Sequence, residues 1–548
     1  MSSRSQLQTA VLPAGARAWL HRHAEVLLLL LVSAVGMLLW LHNLGGVPLR
    51  DWDEGTYAVV AREMVERGDW IHPHYFDQPF QVKPPLLFWL VALGFRLGGE
   101  TELAGRLPCA LLSALAIPLL YVIARVVLQQ RVAAVIAALG FVVLLPAARV
   151  SRLVMMDGPS VTFLLLMLLG AVLGRERPPW RLAIGLGFGA AVLCKGSLGL
   201  LLLVMVLAFA LWDGGPCLLR SRWLWLGLLL GVLPVVLWYG LQARVYGMGY
   251  LVFNLEQQLS QRVSSGIEGH SQPFWYYGPE LLKGTLPLLL PAVAGFIAAW
   301  QQRGQRWARL LLLPPALYLL AISFTQTKLP WYILPLLPFL ALAASVPLAG
   351  LWQGQPLRWR PLWIGLYGLL ALAGLVGAGL LLSRAEAFSL VLALALLAAG
   401  FAVVTLLVWR RRRPRLLVVA LLGSQLLALA ALFSSGSWLW ELNEAFPVRP
   451  VAALLRQHVP AHGLVLSSHP YGRPSLDWYC HCQVLPQSAE QLSQHLQRSA
   501  GSAAAPLLLV DEPTRLALLP QATVLGRAEG FSLLQPSGSQ ASPVEAGP

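Results

Sequence analysis

The residues best suited to chemistry stand together after the first apolar run, as Arg50-Asp51-Trp52-Asp53-Glu54-Gly55-Thr56-Tyr57. A carboxylate within reach of a hydroxyl can take its proton as a general base, and Asp53 is the candidate for that work. A plainer role is open for the same residues: Asp53 would cap a helix N-terminus, and Glu54 would favour its positive end. One carboxylate could serve both purposes. Further along, Gly68-Asp69-Trp70-Ile71-His72-Pro73-His74-Tyr75 supplies two imidazoles. They could be metal ligands, general bases or ordinary hydrogen-bonding groups. Lys83 stands just before Pro84 and Pro85, which fit the first turn of a helix. A cation there lies near a membrane surface and an anionic head group. In the tail, Cys480 and Cys482 flank His481. Two thiols and one imidazole make an incomplete ligand set, so a local disulfide or a pair of free thiols is expected instead.

The elements that must position these residues are apolar. Of 548 residues, 57% are hydrophobic and 12% charged, about half the charge of a soluble domain at roughly 25%. Runs such as Leu27 to Leu41, Leu198 to Leu211 and Leu390 to Val408 hold at most one polar side chain each. Such runs suit helices that satisfy their own backbone hydrogen bonds in lipid. The net charge of +15 comes from arginines in short loops between the runs, not from a separate basic domain. That distribution excludes nucleic-acid binding as the reading of the charge. Arg4, Arg17 and Arg22 precede a run of full spanning length without a small-residue cleavage site, so the N-terminus is expected to be a signal anchor.

About thirteen spans are predicted, near 24–43, 103–124, 131–148, 158–174, 182–194, 197–212, 223–242, 281–300, 308–325, 331–350, 361–382, 387–408 and 415–433. With residues 1–23 cytoplasmic, alternate loops collect Arg125 and Arg131, Arg175 to Arg181, Arg220 and Arg222, Arg303 to Arg309, Arg358 and Arg360, and Arg410 to Arg413. Six consecutive basic loops on one side satisfy the positive-inside rule. The opposite side then receives the loops 44–102 and 243–280, the turns holding Arg149, Arg152, Asp157, Lys195 and Lys328, and the tail. In the first outer loop, Tyr57, Ala61, Met64 and Val65 share one helical face and Arg62, Glu63 and Glu66 another. That pattern predicts an amphipathic helix lying along the membrane surface. Short strand-like and helix-like stretches over 436–535 predict a small α/β domain. The Ser/Pro/Gly-rich stretch 536–548 is expected to be disordered.

Several pieces, taken in order, resemble a known family. Asp-Glu-x-x-Tyr-Ala at 53–58, Gly-Asp-Trp at 68–70 and Lys-Pro-Pro-Leu-Leu-Phe-Trp at 83–89 are similar to the first outer loop of the protein O-mannosyltransferase-like membrane glycosyltransferases. That family includes the lipid A aminoarabinose transferases. Arg152-Leu-Val-Met-Met-Asp157, Lys195-Gly196 and Lys328-Leu-Pro-Trp-Tyr332-Ile-Leu-Pro follow in the same order, and the resemblance covers about residues 24–435. It implies a GT-C-like fold: an all-α polytopic membrane bundle with interfacial helices and a small exported α/β domain. It also implies transfer of a sugar from a polyprenyl-phosphate donor, with inversion, to a lipid, glycan or protein acceptor on the non-cytoplasmic face of the inner membrane.

By the same carry-over Asp53 is the general base, and Glu54, Tyr57, Lys83, Arg152, Asp157, Lys195, Lys328 and Tyr332 contact substrate. The chemistry is consistent with the residue types, because a departing phosphate needs cations to hold its developing charge. Two positions depart from the aminoarabinose transferases: Thr56 where they usually carry Arg, and Val82 where they usually carry Glu. The motif wording is closer to the broad, unassigned branch, so neither sugar nor acceptor is implied. No firm cofactor follows from the sequence; a divalent metal stays open, but no residue pattern supports one. The rival from another class is a polytopic transporter of a lipid-linked or small-molecule substrate. Transporters commonly show repeated halves with mid-membrane sites, and neither is visible here.

Overall fold

The computed structural model describes residues 14–256, 272–384, 387–438, 447–499, 505–518 and 522–536. Each predicted span coincides with helix. Among the described residues, nine helical stretches are long and apolar enough to cross a membrane, from His23–Leu41 to Pro414–Phe433. The other four predicted spans are the shorter helices Arg131–Val143, Asp157–Leu173, Leu182–Lys195 and Leu198–Gly214. The chain is thus a multi-pass membrane protein with a largely helical body. The stretch 536–548 expected to be disordered lies, beyond Pro536, outside the described residues, as does most of the middle of the 243–280 loop.

On one face, the few acidic residues gather the loop arginines. Asp213 takes Arg175 and Arg306 at 2.9 Å each, with Arg309 at 3.8 Å. Glu25 takes Arg125 and Arg131 at 2.8 and 2.7 Å. Loops far apart in sequence therefore lie side by side, grouped as their charge pattern predicted.

Two of the shorter contacts fix the body. Gly185 and Gly189 of the helix Leu182–Lys195 meet Gly227 and Gly231 of Arg222–Tyr246. A Cβ on Gly189 would fall 1.9 Å from the Gly231 carbonyl oxygen, and one on Gly185 2.0 Å from the Gly227 carbonyl carbon. With little hydrophobic drive between helices in lipid, such small residues at four-residue spacing let backbones touch and gain dispersion energy. The helix so anchored ends on Lys195.

The second device is a buried clasp. Asp53–Arg67 forms the motif helix, and its Glu54 is fully buried. Arg106, from the span Glu102–Leu128, donates Nε and Nη2 to the two Glu54 oxygens at 2.8 and 2.6 Å. The backbone N–H groups of Arg50 and Val154 donate to the same carboxylate at 2.8 and 2.9 Å. Arg106 also donates to the carbonyls of Leu44, Val47 and Pro48 at 2.8 Å. Burial alone would raise the Glu54 pKa, but the Arg106 charge and these four donors hold it below the usual carboxylate range. The clasp ties the end of the first span, the motif helix, the second span and the turn at 154 to one point.

The C-terminal domain is a five-stranded sheet with flanking helices. Its strands are β3 (Leu464–Ser467), β4 (Gln483–Pro486), β5 (Leu507–Asp511), β6 (Ala522–Ala528) and β7 (Phe531–Pro536), and a two-residue ladder in the first outer loop supplies β1 (His74–Tyr75) and β2 (Gln78–Pro79). The order is β4-β3-β5-β7-β6, with β3 parallel to β4 and β5 and the β5–β7 and β6–β7 pairs antiparallel. Leu466, Leu508, Val510 and Leu534 pack on one face; Val465, Leu509 and Leu533 pack on the other, as alternation along a strand requires. Between β3 and β4 the docking helix Pro474–Cys480 sits on the motif helix. The contact is so close that a Cβ on Gly55 would lie 2.4 Å from the Ser475 nitrogen. Cys480 and Cys482 are joined as a disulfide.

Docking overturns one sequence expectation. Most of the polar face of the motif helix does not lie open to water or head groups: of Arg62, Glu63 and Glu66, only Glu66 at its far end stays exposed. Arg62 and Glu63 are each 1% exposed, and Arg62 Nη1 donates to the Trp478 carbonyl at 3.0 Å. Amphipathic periodicity marks which residues share a face. It cannot tell whether water or another domain covers that face.

Two substitutions test this account. Arg106→Leu strands Glu54 as an uncompensated buried charge, which costs about 3–5 kcal/mol. A large fall in the thermal midpoint of the detergent-solubilised protein is expected, and an unchanged midpoint would remove the clasp from the account. Gly189→Val forces the two touching backbones apart, an overpacking cost of about 1–3 kcal/mol. Fluorescence-detected size exclusion after heating reads it as earlier aggregation, while Gly214→Val, where a Cβ meets open space, behaves as the parent.

Candidate active site

The site is built where the clasp leaves the chain little choice. Trp52 takes the helix cap position with φ 63° and ψ −124° and no side chain caps the helix, so Asp53 is the first helical residue, not the cap. A left-handed backbone at a bulky residue is uncommon and persists only where its surroundings hold it. Here the C-terminal domain grips both neighbours of the turn. Asp51, 1% exposed, accepts from Arg473 Nε and Ser475 Oγ at 2.5 Å and from the Ser475 N–H at 3.1 Å. The Trp52 ring stacks on Tyr471 at 5.3 Å between centroids.

Asp53 emerges from this turn partly exposed and accepts from the Tyr57 hydroxyl at 2.9 Å on Oδ1. Tyr57 lies one helical turn on, and its ring meets the edge of Phe88 at 5.5 Å. Phe88 belongs to the helix Leu86–Gly98 that follows Lys83. Pro84 and Pro85 precede this helix and do not form its first turn, with Pro85 at the cap. Lys83 itself is buried. Asp157, first residue of the helix Asp157–Leu173, accepts from Lys195 Nζ at 2.5 Å, and both Asp53 and Lys83 lie near enough for their charges to act on it. The Lys195 ammonium stands 5.2 Å from the Tyr332 ring centre. Tyr318 donates to the Tyr332 carbonyl at 3.0 Å and lies near Asp157. Lys328 is buried, donates to the Thr325 carbonyl, and burial pulls its pKa below the usual lysine range.

Stretches of chain separated by up to 279 positions, from Asp53 to Tyr332, thus meet beside one partly exposed carboxylate. The cluster holds a candidate base, a hydroxyl that orients it, and cations able to face an anionic group.

Two sequence-predicted contacts are placed differently. Glu54 is the scaffold carboxylate of the clasp, with both oxygens doubly satisfied inside the protein. Arg152 is fully buried and donates Nη1 to the Leu39 and Trp40 carbonyls at 3.1 Å. Its guanidinium lies 3.7 Å from the Phe433 ring centre and 4.4 Å from that of Trp438. It fastens the ends of the first and last spans, because a desolvated cation is most stable between ring faces and carbonyls. His72 and His74 are occupied locally, with Nδ1 of His72 at 2.9 Å from Asp69 and Nδ1 of His74 at 2.8 Å from the His72 carbonyl. Asp51, Arg106, Tyr318 and the pair Tyr75–Asp477, joined at 2.5 Å, escaped the sequence reading. Asp51 was visible as a third acid in the motif, but nothing local pointed to its partners more than 420 residues away.

Residues 82–239 match the family model described as dolichyl-phosphate-mannose-protein mannosyltransferase. The undecaprenyl phosphate-alpha-4-amino-4-deoxy-L-arabinose arabinosyl transferase 1 of Pseudomonas fluorescens Pf-5 is 32% identical over 303 residues, covering 53% of this chain and 54% of that one. The corresponding transferase 2 of strain Pf0-1 is 30% identical over 362 residues, covering 63% and 64%. The chain therefore spans little more than half the length of the curated relatives it matches. In fold the likeness runs further. The crystal structure of ArnT from Cupriavidus metallidurans bound to undecaprenyl phosphate has a TM-score of 0.72 at 22% identity, covering 92% of this chain and 97% of that one. Its apo state gives the same TM-score at 21% identity, covering 97% and 100%. The resemblance first seen in the motifs thus holds in sequence and in fold: the chain shares the fold of ArnT from Cupriavidus metallidurans, and over more than half its length it is similar to the undecaprenyl-phosphate aminoarabinose transferases.

Proposed function

We propose that the chain is an integral membrane glycosyltransferase that moves a sugar from a polyprenyl-phosphate donor to a lipid, glycan or protein acceptor. The observation that carries this reading is the convergence of Asp53 and Tyr57 with Lys83, Asp157, Lys195 and Tyr332 on the face that carries the C-terminal domain. A polyprenyl chain is too apolar to leave the bilayer, so its head group must be met at the membrane boundary. The basic loops on the opposite face support a cytoplasmic N-terminus and a reaction on the outer side of the inner membrane.

In this reading Asp53 takes the proton of an acceptor hydroxyl as the hydroxyl oxygen bonds to the anomeric carbon. The bond from that carbon to the phosphate oxygen breaks, with inversion, and the electron pair leaves on polyprenyl phosphate. Tyr57 holds one Asp53 oxygen and so aims the other. Lys83 and Lys195 stabilise the charge that grows on the departing phosphate, with Lys328 nearby on the turn before Tyr332. Asp157 keeps the Lys195 ammonium in place. Glu54 and Arg152 act through the scaffold.

Asp53→Asn keeps the shape and removes the base. Normal membrane insertion with transfer to a hydroxyl acceptor lowered about 10²–10⁴-fold is expected. A phosphate monoester acceptor is already largely ionised at neutral pH, since its second pKa is about 6, so there the same variant should lose much less. Full retention of hydroxyl transfer by Asp53→Asn would sink the base assignment.

The donor class has its own test. Membranes carrying the protein are given defined polyprenyl-phosphate sugars in one arm and nucleotide sugars without lipid carrier in the other. Consumption is expected only in the first arm. Turnover of a carrier-free nucleotide sugar would contradict the mechanism.

A further inference from the structure

At the far end of the motif helix a second cluster forms that the reaction does not use. Glu63 and Glu66 lie near the end of Asp53–Arg67, and His462 lies in the turn that leads into β3. The Nδ1 atom of His462 is 3.7 Å from Glu63 Oε1, and its Nε2 atom is 3.6 Å from Glu66 Oε2. One candidate ligand atom from each residue falls within 4.8 Å of the other two. The remaining carboxylate oxygens face guanidinium groups: Glu63 Oε2 takes Arg67 Nε at 2.7 Å, and Glu66 Oε1 lies 3.8 Å from Arg62 Nε. Each arginine thus turns the free oxygen of its partner toward the imidazole.

The observation that points to a ligand is Glu63. Its side chain is 1% exposed, yet Oε1, aimed at His462, has no hydrogen-bond partner among the described residues. A buried carboxylate oxygen left unsatisfied costs on the order of 1–3 kcal/mol or more, which a bound cation would recover. Charge favours one here. Arg67 is shared with Asp77 at 2.7 Å, and Glu100 stands 3.5 Å from the neighbouring His481, so carboxylates outnumber guanidiniums around the cluster.

We propose that Glu63, Glu66 and His462 bind a divalent metal ion of the zinc class, which fastens the C-terminal domain to the motif helix. Mixed nitrogen and oxygen ligands suit Zn²⁺ better than Mg²⁺ or Ca²⁺, which prefer oxygen alone. Bonds of about 2.1 Å in a tetrahedron place ligand atoms about 3.4 Å apart. The 3.6 and 3.7 Å gaps run to different ring nitrogens, and one ligand atom from each residue spans up to 4.8 Å, so the ligands must close in by about 1 Å around an ion. The ring gives an ion only one nitrogen, but His462 and Glu66 are 48% and 34% exposed and have room to turn, whereas Glu63 is fixed. Water from the exposed side fills the fourth position. Ten residues of helix separate Glu63 from Asp53, about 15 Å at 1.5 Å per residue. The ion therefore joins two domains and takes no part in bond making.

The test uses the full chain in nanodiscs, stripped with a chelator and then titrated with ZnCl₂. One tightly held Zn²⁺ per chain, a higher thermal midpoint with metal, and the visible d–d absorption of tetrahedral Co²⁺ on substitution are expected. His462→Ala and Glu66→Gln, both at exposed positions, should keep the metal-free midpoint of the parent and weaken Zn²⁺ binding at least about 10-fold. His72→Ala should bind as the parent. Failure of the parent to bind Zn²⁺, or equal binding by parent and His462→Ala, overturns the site. Neither result bears on the sugar transfer assigned to Asp53, which is read separately by Asp53→Asn.

Discussion

Everything near the candidate active site hangs on one buried ion pair. Glu54 and Arg106 meet with no exposure on either side chain, and the pair is tolerable only because it is saturated. Two backbone N–H groups complete the carboxylate, and three carbonyls complete the guanidinium. A buried charge with any of these missing would be among the costliest features a fold can carry. The loop between the first two spans is therefore not free to drift. It must present Arg50 to Pro48 on one side of the clasp and begin a helix on the other. That demand puts Trp52 in its left-handed turn and Asp53 at the mouth of the site.

The C-terminal domain extends the same logic from outside the body. Asp51 and Trp52 are held by Arg473, Ser475 and Tyr471, while Tyr75 meets Asp477. Asp477 is pushed up to about 7, chiefly by burial, although Tyr75 and the Val484 N–H favour its charged form. Since its folded-state pKa is raised, the stability it contributes is present at low pH and fades as pH rises toward about 7. The domain thus acts as a lid fixed on the motif helix, covering a polar face that would otherwise meet water. The close approach at Gly55 and the carboxylates at its far end belong to the same interface.

Much of this was legible in the chain. Thirteen apolar runs became thirteen helical stretches, and arginines from loops far apart in sequence gathered on Glu25 and Asp213. The helices follow from solvent: a backbone in lipid must be helical, and that constraint writes itself in composition over about 20 residues. The α/β tail was legible through its short apolar, strand-like runs between helix-like stretches, and the order of motifs pointed to the fold. The pairs Lys195–Asp157 and Tyr57–Asp53 were not legible, because each depends on how the surrounding elements pack.

What only tertiary structure decided is which charges face substrate and which serve the scaffold. Glu54 and Asp53 are adjacent and chemically alike, yet one is sealed against Arg106 and the other opens to the site. Arg152 and Lys195 both sit at span ends, yet aromatic rings enclose the first while the second faces Asp157 and Tyr332. Residue type and spacing fix a group's chemistry and its helical face. Burial and partners come from contacts distant in sequence, such as Arg106 with Glu54 at 52 positions and Arg473 with Asp51 at 422. No local pattern encodes those distances, because side-chain pairing depends on how spans pack and domains dock.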